Sequence, residues 1–92
     1  MNDNTDSKIR MYITRWCPDC FRAKAVLRRL KVDFVEIDVD KDKTGYQIVV
    51  EHNGGKRVVP TIFFPDGSVL VEPSNQTLSE KIIELGLVKG SE

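Results

Sequence analysis

The chain has 92 residues, 40% of them hydrophobic and 30% charged, with a formal net charge of zero. This length suits one domain with a single core, and the zero net charge argues against a general nucleic-acid binder. No apolar run approaches the roughly 20 residues of a membrane-spanning helix.

Residues 1–7 are polar and partly acidic, without the basic start and apolar stretch of a secretory signal. They read as a disordered tail on a cytoplasmic protein. Ile9 to Thr14 alternates and is rich in β-prone residues, so it predicts a first strand. The only two cysteines follow in Trp16-Cys17-Pro18-Asp19-Cys20. Pro18 suits the first turn of a helix, where its missing N–H costs nothing. That helix is expected to run to Leu30 or Lys31, with Ala23, Val26, Leu27 and Leu30 as its buried stripe. Arg22, Lys24, Arg28, Arg29 and Lys31 form its wet, basic side.

Phe34 to Val39 predicts a second strand. Asp40 or Asp42 can cap a second helix that carries Tyr46, Val49 and Val50 on one side, and Asn53-Gly54-Gly55 ends it. Thr61 to Phe64 reads as a central third strand. Pro65-Asp66-Gly67-Ser68 turns the chain into a fourth strand, Val69 to Val71. Leu78, Ile82 and Leu85 lie along a last helix, with Thr77-x-x-Glu80 offered as its capping box and Gly86 as its stop. The domain is expected over 8–88, with a tail at 89–92. The element order βαβαββα predicts an α/β protein, a four-stranded mixed sheet with helices on both faces. Its first two strands are parallel through a right-handed crossover.

A Cys-x-x-Cys at a strand-to-helix junction is how dithiol redox centres are built. The loop it closes is too short for a strong staple, about 2 kcal/mol by chain entropy. A reducing compartment would cycle such a pair rather than keep it oxidised. Cys17, just before the helix, faces free N–H groups and the positive end of the macrodipole, which favour a thiolate. Arg15 and Arg22 add positive potential, and Asp19 opposes them. Lowering a thiol pKa from about 8.5 to about 5 raises the thiolate fraction at pH 7 roughly 30-fold. With a Brønsted slope of about 0.45, intrinsic nucleophilicity falls roughly 40-fold, so the surplus appears when Cys17 leaves rather than when it attacks. Cys20, one turn into the helix, is then the resolving thiol.

The sequence resembles the glutaredoxin branch of the thioredoxin fold over roughly Lys8 to Leu87. The resemblance rests on Cys17-Pro18-Asp19-Cys20 after a strand containing Tyr12 and Thr14, on Val58-Val59-Pro60-Thr61 before the third strand, and on Asp66-Gly67 in the hairpin turn. Trp16 and the segment from Asn53 to Thr61 look most like mycoredoxin-type members. The resemblance implies a thioredoxin-like three-layer fold and a thiol–disulfide oxidoreductase that acts on protein disulfides or thiol-modified proteins. It implies no bound cofactor, glutathione or mycothiol as co-substrate, or else a flavin-dependent reductase as electron source, and a monomer. It also implies a cis Pro60 facing the dithiol, with Val59 offering its N–H and C=O to an extended substrate.

Trp16 and Tyr12 are expected to flank and shield the thiol. Ser74 and Asn75, with Arg57, are candidates to contact a ligand carboxylate. Where many glutaredoxins have Gly-Gly-Cys-Asp-Asp, this chain has Val71-Glu72-Pro73-Ser74-Asn75, and Asp19 stands where an aromatic residue is frequent. His52, the single histidine, suits a surface or dipole role. The alternative for the same cysteines is a metal or iron–sulfur module. Tetrahedral metal wants four ligands, and two cysteines supply them only in a dimer.

Overall fold

Alternation along the first strand decides which face of the sheet each helix covers. A computed structural model describes residues 8–88, and the two tails expected at 1–7 and 89–92 lie outside the described residues. In β1 (Ile9–Ile13), Ile9, Met11 and Ile13 point to one side and join the main core. Tyr12 points to the other side, into a smaller cluster with Val39 and Val49, as the period of two requires.

β1 pairs in parallel with β2 (Phe34–Asp38), Ile9 opposite Phe34. On its other edge it pairs antiparallel with β3 (Thr61–Phe63), Met11 opposite Ile62. β3 pairs antiparallel with β4 (Val69–Val71). The order β2-β1-β3-β4 makes the predicted four-stranded mixed sheet, with β1 and β3 inside. α1 (Pro18–Arg29) joins β1 to β2. Its Ala23, Val26 and Leu27 are buried with Leu78 and Ile82 of α3 (Asn75–Glu84) against the face of Met11 and Ile62. Each fully buried aliphatic side chain of this kind contributes about 1.5–3 kcal/mol. α2 (Lys43–His52) covers the other face. The result is three layers, α1 and α3, the sheet, and α2.

The second and third helices differ in detail from the sequence reading. Asp42 caps α2, its carboxylate accepting from the Gly45 N–H at 2.9 Å. With the helix starting at Lys43, Gly45 and Val49 face the sheet, and Tyr46 turns outward, 42% exposed rather than packed beside Val49. The expected box of Thr77 and Glu80 does not open α3. The helix starts earlier, at Asn75, because Ser74 is its cap. The Ser74 hydroxyl accepts from the Thr77 N–H at 3.0 Å, and Glu80 instead accepts from the Gln76 amide.

In the β3–β4 turn Gly67 takes φ 91°. Asp66 accepts from the Ser68 hydroxyl at 2.6 Å and the Ser68 N–H at 3.0 Å. These bonds, with a smaller contribution from Lys81, hold the Asp66 carboxyl below the usual carboxylate range.

α2 sits close enough to the sheet that a Cβ on Gly45 would meet Ile37 Cγ2 at 2.7 Å. Gly45→Ala gains helix propensity of at most about 1 kcal/mol, whereas overpacking costs about 1–3 kcal/mol. Urea unfolding is expected to show a net loss of about 1 kcal/mol; unchanged or higher stability would contradict this packing.

Candidate active site

The site begins where β1 ends. Cys17 is the N-cap of α1, in extended conformation (φ −144°, ψ 102°), with Pro18 at the first helical position. Its side chain turns back over the helix start, and the Cys17 Sγ accepts from the Cys20 N–H at 3.1 Å. The Cys17 carbonyl accepts from the Phe21 N–H at 3.1 Å. Sulfur therefore stands where a capping oxygen usually stands, against one of the N–H groups a helix leaves free. Cys17 and Cys20 are joined as a disulfide, with their Cα atoms 5.1 Å apart. Cys17 is 8% exposed and Cys20 1%, so solvent reaches the first sulfur more readily than the second.

The Val59–Pro60 peptide, which is cis, forms the facing wall. The Val59 carbonyl oxygen lies 4.0 Å from Cys17 Sγ. Three bonds hold this wall. The buried Thr61 hydroxyl donates to the Val58 carbonyl at 2.7 Å, Asn53 Nδ2 donates to the Thr61 hydroxyl at 3.3 Å, and the Glu72 N–H donates to the Pro60 carbonyl at 2.9 Å. Pro60 is itself fully buried.

The other proposed site residues are placed unequally. Arg15 is exposed beside the motif. Trp16 is 81% exposed and does not shield the thiol. As the neighbour of the N-cap it leaves the sheet before the helix starts, with no core surface to pack on. Tyr12 does not flank the dithiol either, because an even position on β1 faces α2. Its hydroxyl accepts from Arg10 at 3.0 Å, and burial pushes the phenol pKa up against the opposing pull of the Arg10 guanidinium.

Asp19 is paired with Arg22 at 3.0 Å, so each offsets part of the other's field at Cys17. Ser74 and Asn75 lie at the start of α3, and both side chains already have protein partners. Arg57 bonds Asp40 at 3.2 Å. His52 is exposed in the last turn of α2, its ring edge-on to Phe63.

Sequence reasoning did not anticipate the buried role of Thr61, the backbone bond from Glu72 to Pro60 or the long reach of Arg22. Arg22 donates to the Asn75 side chain at 2.8 Å and to the Pro73 carbonyl at 3.3 Å, some fifty positions along the chain. No local pattern signals such contacts.

A helix-capping Cys-x-x-Cys disulfide against a cis-proline wall suits exchange between a disulfide and two thiols. The family model described as Glutaredoxin matches residues 9–70. The chain belongs to the glutaredoxin family. It is a thiol–disulfide oxidoreductase.

Among relatives, a protein of Mycobacterium tuberculosis named as a glutaredoxin is 34% identical over 77 residues, 84% of this chain and 92% of the relative. Mycoredoxin 1 of Corynebacterium glutamicum is 34% identical over 77 residues, 83% of this chain and 94% of that one. The solution structure of a Brucella melitensis glutaredoxin superposes with TM-score 0.63 at 25% identity, covering 96% of each chain. Wheat glutaredoxin shares the thioredoxin-like fold at TM-score 0.68 and 20% identity, covering 96% of this chain and 83% of its own. Among the described residues no group of three or more His, Cys, Asp or Glu is placed to hold a metal ion. No helix among them is long and apolar enough to cross a membrane.

The exposure difference carries a chemical expectation. After reduction, substoichiometric iodoacetamide is expected to label Cys17 ahead of Cys20, read by peptide mass mapping. Equal labelling, or labelling of Cys20 first, would reverse the assignment of the outer thiol.

Proposed function

We propose that this glutaredoxin-family protein removes low-molecular-weight thiols from modified proteins, and reduces protein disulfides, by a two-cysteine route. The observation that carries the reading is the placement of Cys17 Sγ, the more accessible sulfur, on the free Cys20 N–H at the head of α1. Positive partial charge there stabilises a thiolate, which favours departure of that sulfur more than its attack.

In the reduced protein the Cys17 thiolate attacks one sulfur of a mixed disulfide. A Cys17 S–S bond forms, the substrate S–S bond breaks, and the leaving thiolate takes a proton from solvent. Cys20 loses its proton and attacks Cys17 Sγ, forming the Cys17–Cys20 disulfide and releasing the second thiol. The substrate has gained two electrons and the protein has lost two. Two molecules of a low-molecular-weight thiol return the protein to the dithiol and leave as their own disulfide, which a flavin-dependent reductase then reduces.

Val59 offers its carbonyl, and its N–H, to an extended substrate beside the sulfur. Arg15 and the exposed Trp16 border the same approach. Ser74 and Asn75, at the start of α3, would meet the polar part of the thiol remote from its sulfur. Pro73, Ser74 and Asn75 include no acidic side chain to pair with the free amine of glutathione. This favours mycothiol, whose cysteine amine is acylated. Similarity to a protein named mycoredoxin supports the same choice. The protein would act as a monomer in the cytoplasm.

Intact mass of reduced Cys20→Ser after parallel exposure to glutathione disulfide and mycothiol disulfide tests the reading. A stable single adduct on Cys17 is expected, more complete with mycothiol. No adduct with either would overturn the low-molecular-weight thiol and point to a protein electron donor.

A further inference from the structure

Asn53 ends α2 and holds the segment that follows it. Its Nδ2 donates to the Val49 carbonyl at 2.9 Å and to the Thr61 hydroxyl at 3.3 Å. The Thr61 hydroxyl in turn donates to the Val58 carbonyl at 2.7 Å. A hydroxyl has one hydrogen and a primary amide has two. Thr61 gives its hydrogen to Val58, so toward Asn53 it can only accept. Both Asn53 amide hydrogens are then committed, one to the helix end and one to Thr61. A serine carries one such hydrogen and an ionised aspartate none, so the two bonds together call for an amide.

The far end of this relay lies on the substrate side of the site. The Val58 C=O and the Val59 N–H share one trans peptide plane and point in opposite directions. Drawing the oxygen inward to the fully buried Thr61 therefore turns the N–H away from the core. Among the described residues nothing accepts from that N–H. The carbonyl of the same residue lies 4.0 Å from Cys17 Sγ. Gly54 and Gly55, at φ 68° and 94°, precede this peptide and leave it free to turn unless something holds it.

We propose that Asn53 is a positioning residue for thiol–disulfide exchange. Through Thr61 it sets the rotation of the peptide between Val58 and Val59. It thereby aims the Val59 N–H at the backbone of an extended substrate whose sulfur meets Cys17. The inference deepens the reading of Val59 as the backbone contact and rests on it. What matters is the order of donors along the relay, which helix capping alone does not require. A carboxylate at position 53 is a stronger acceptor than a peptide carbonyl. It would take the Thr61 hydrogen and leave Val58 without its donor. Removing the side chain leaves the bond from Thr61 to Val58 in place. Asn53→Asp is therefore the more damaging change for substrate, although it is nearly isosteric.

Asn53→Asp, Asn53→Ala and Thr61→Ser, each in the Cys20→Ser background, provide the test against the unsubstituted background protein. Adduct formation is followed against concentration for two disulfides. One is the disulfide of N-acetylcysteine methylamide, which has a peptide group on either side of its cysteine. The other is hydroxyethyl disulfide, which has none. The NMR shift of the Val58 carbonyl carbon reports its hydrogen bond.

Asn53→Asp is expected to raise the half-saturating concentration of the peptide disulfide about fivefold, the size of one hydrogen bond. The limiting rate, and the reaction with hydroxyethyl disulfide, are expected to change less than about twofold. Asn53→Ala is expected to raise the half-saturating concentration about twofold at most. The Val58 signal is expected to move in Asn53→Asp and to stay in Thr61→Ser, which keeps the hydroxyl and with it the affinity.

Unchanged half-saturation in Asn53→Asp, or an effect no larger than that of Asn53→Ala, would overturn the proposal, as would equal slowing with both disulfides. If the background protein takes the peptide disulfide no better than hydroxyethyl disulfide, the Val59 reading fails and the proposal with it. The Val58 signal tells that failure from an absent relay.

Discussion

The hydrogen bond from the Cys20 N–H to Cys17 Sγ is the contact on which the proposed chemistry depends. It exists because β1 ends at Ile13, four residues before the N-cap, and because Pro18 starts α1 with the right φ and no N–H to leave unsatisfied. The helix then offers its free donors to whatever atom caps it. In most helices that atom is a serine or aspartate oxygen; here it is a sulfur whose charged form is the reactive one. The same bond closes the end of a helix and, in the proposed mechanism, tunes the sulfur it caps.

The facing wall shows how a loop is made stiff enough to oppose that sulfur. Between α2 and β3 the chain passes through Gly54 and Gly55, both at positive φ, before reaching Val59 and Pro60. Stiffness returns through the Thr61 hydroxyl and the Glu72 N–H, which bond the backbone on either side of the proline, and through Asn53, which donates to the Thr61 hydroxyl. β1 and β3 are hydrogen-bonded neighbours, so the ends of the sheet that carry Cys17 and Pro60 cannot drift apart without breaking the ladder. Fold and site are coupled at this pair of strands. Arg22 adds a third point, drawing the start of α3 toward the same helix.

Much of this was legible in local pattern. The alternation of Ile9, Met11 and Ile13, the spacing of Ala23, Val26 and Leu27, and the turn at Asp66-Gly67 each specify an element through nearest neighbours, and the elements lie where the pattern puts them. The order of elements then leaves few topologies. What failed was direction and distance. Tyr12 is close to the dithiol in sequence, but an even position on β1 sends it to the α2 face. Trp16 is a large apolar residue, yet a side chain adjoining an N-cap has no layer to enter. Tyr46 matched a helical stripe until the start of α2 at Lys43 fixed the phase. Ser74 won the cap of α3 over Thr77 because buried Pro73 anchors the chain just ahead of it. Contacts such as Arg22 with Asn75 arise only when two distant segments are brought together, and single-sequence periodicity carries no record of them.

The central claim is that the helix start holds the Cys17 sulfur as a thiolate. The most direct measurement is the ultraviolet thiolate absorbance of reduced Cys20→Ser as a function of pH, where Cys17 is the one remaining thiol. The account predicts a midpoint clearly below the value of about 8.5 for a free cysteine. A midpoint at or above that value would contradict it, because the N–H groups of α1 would then contribute nothing to the reactivity of the sulfur they cap.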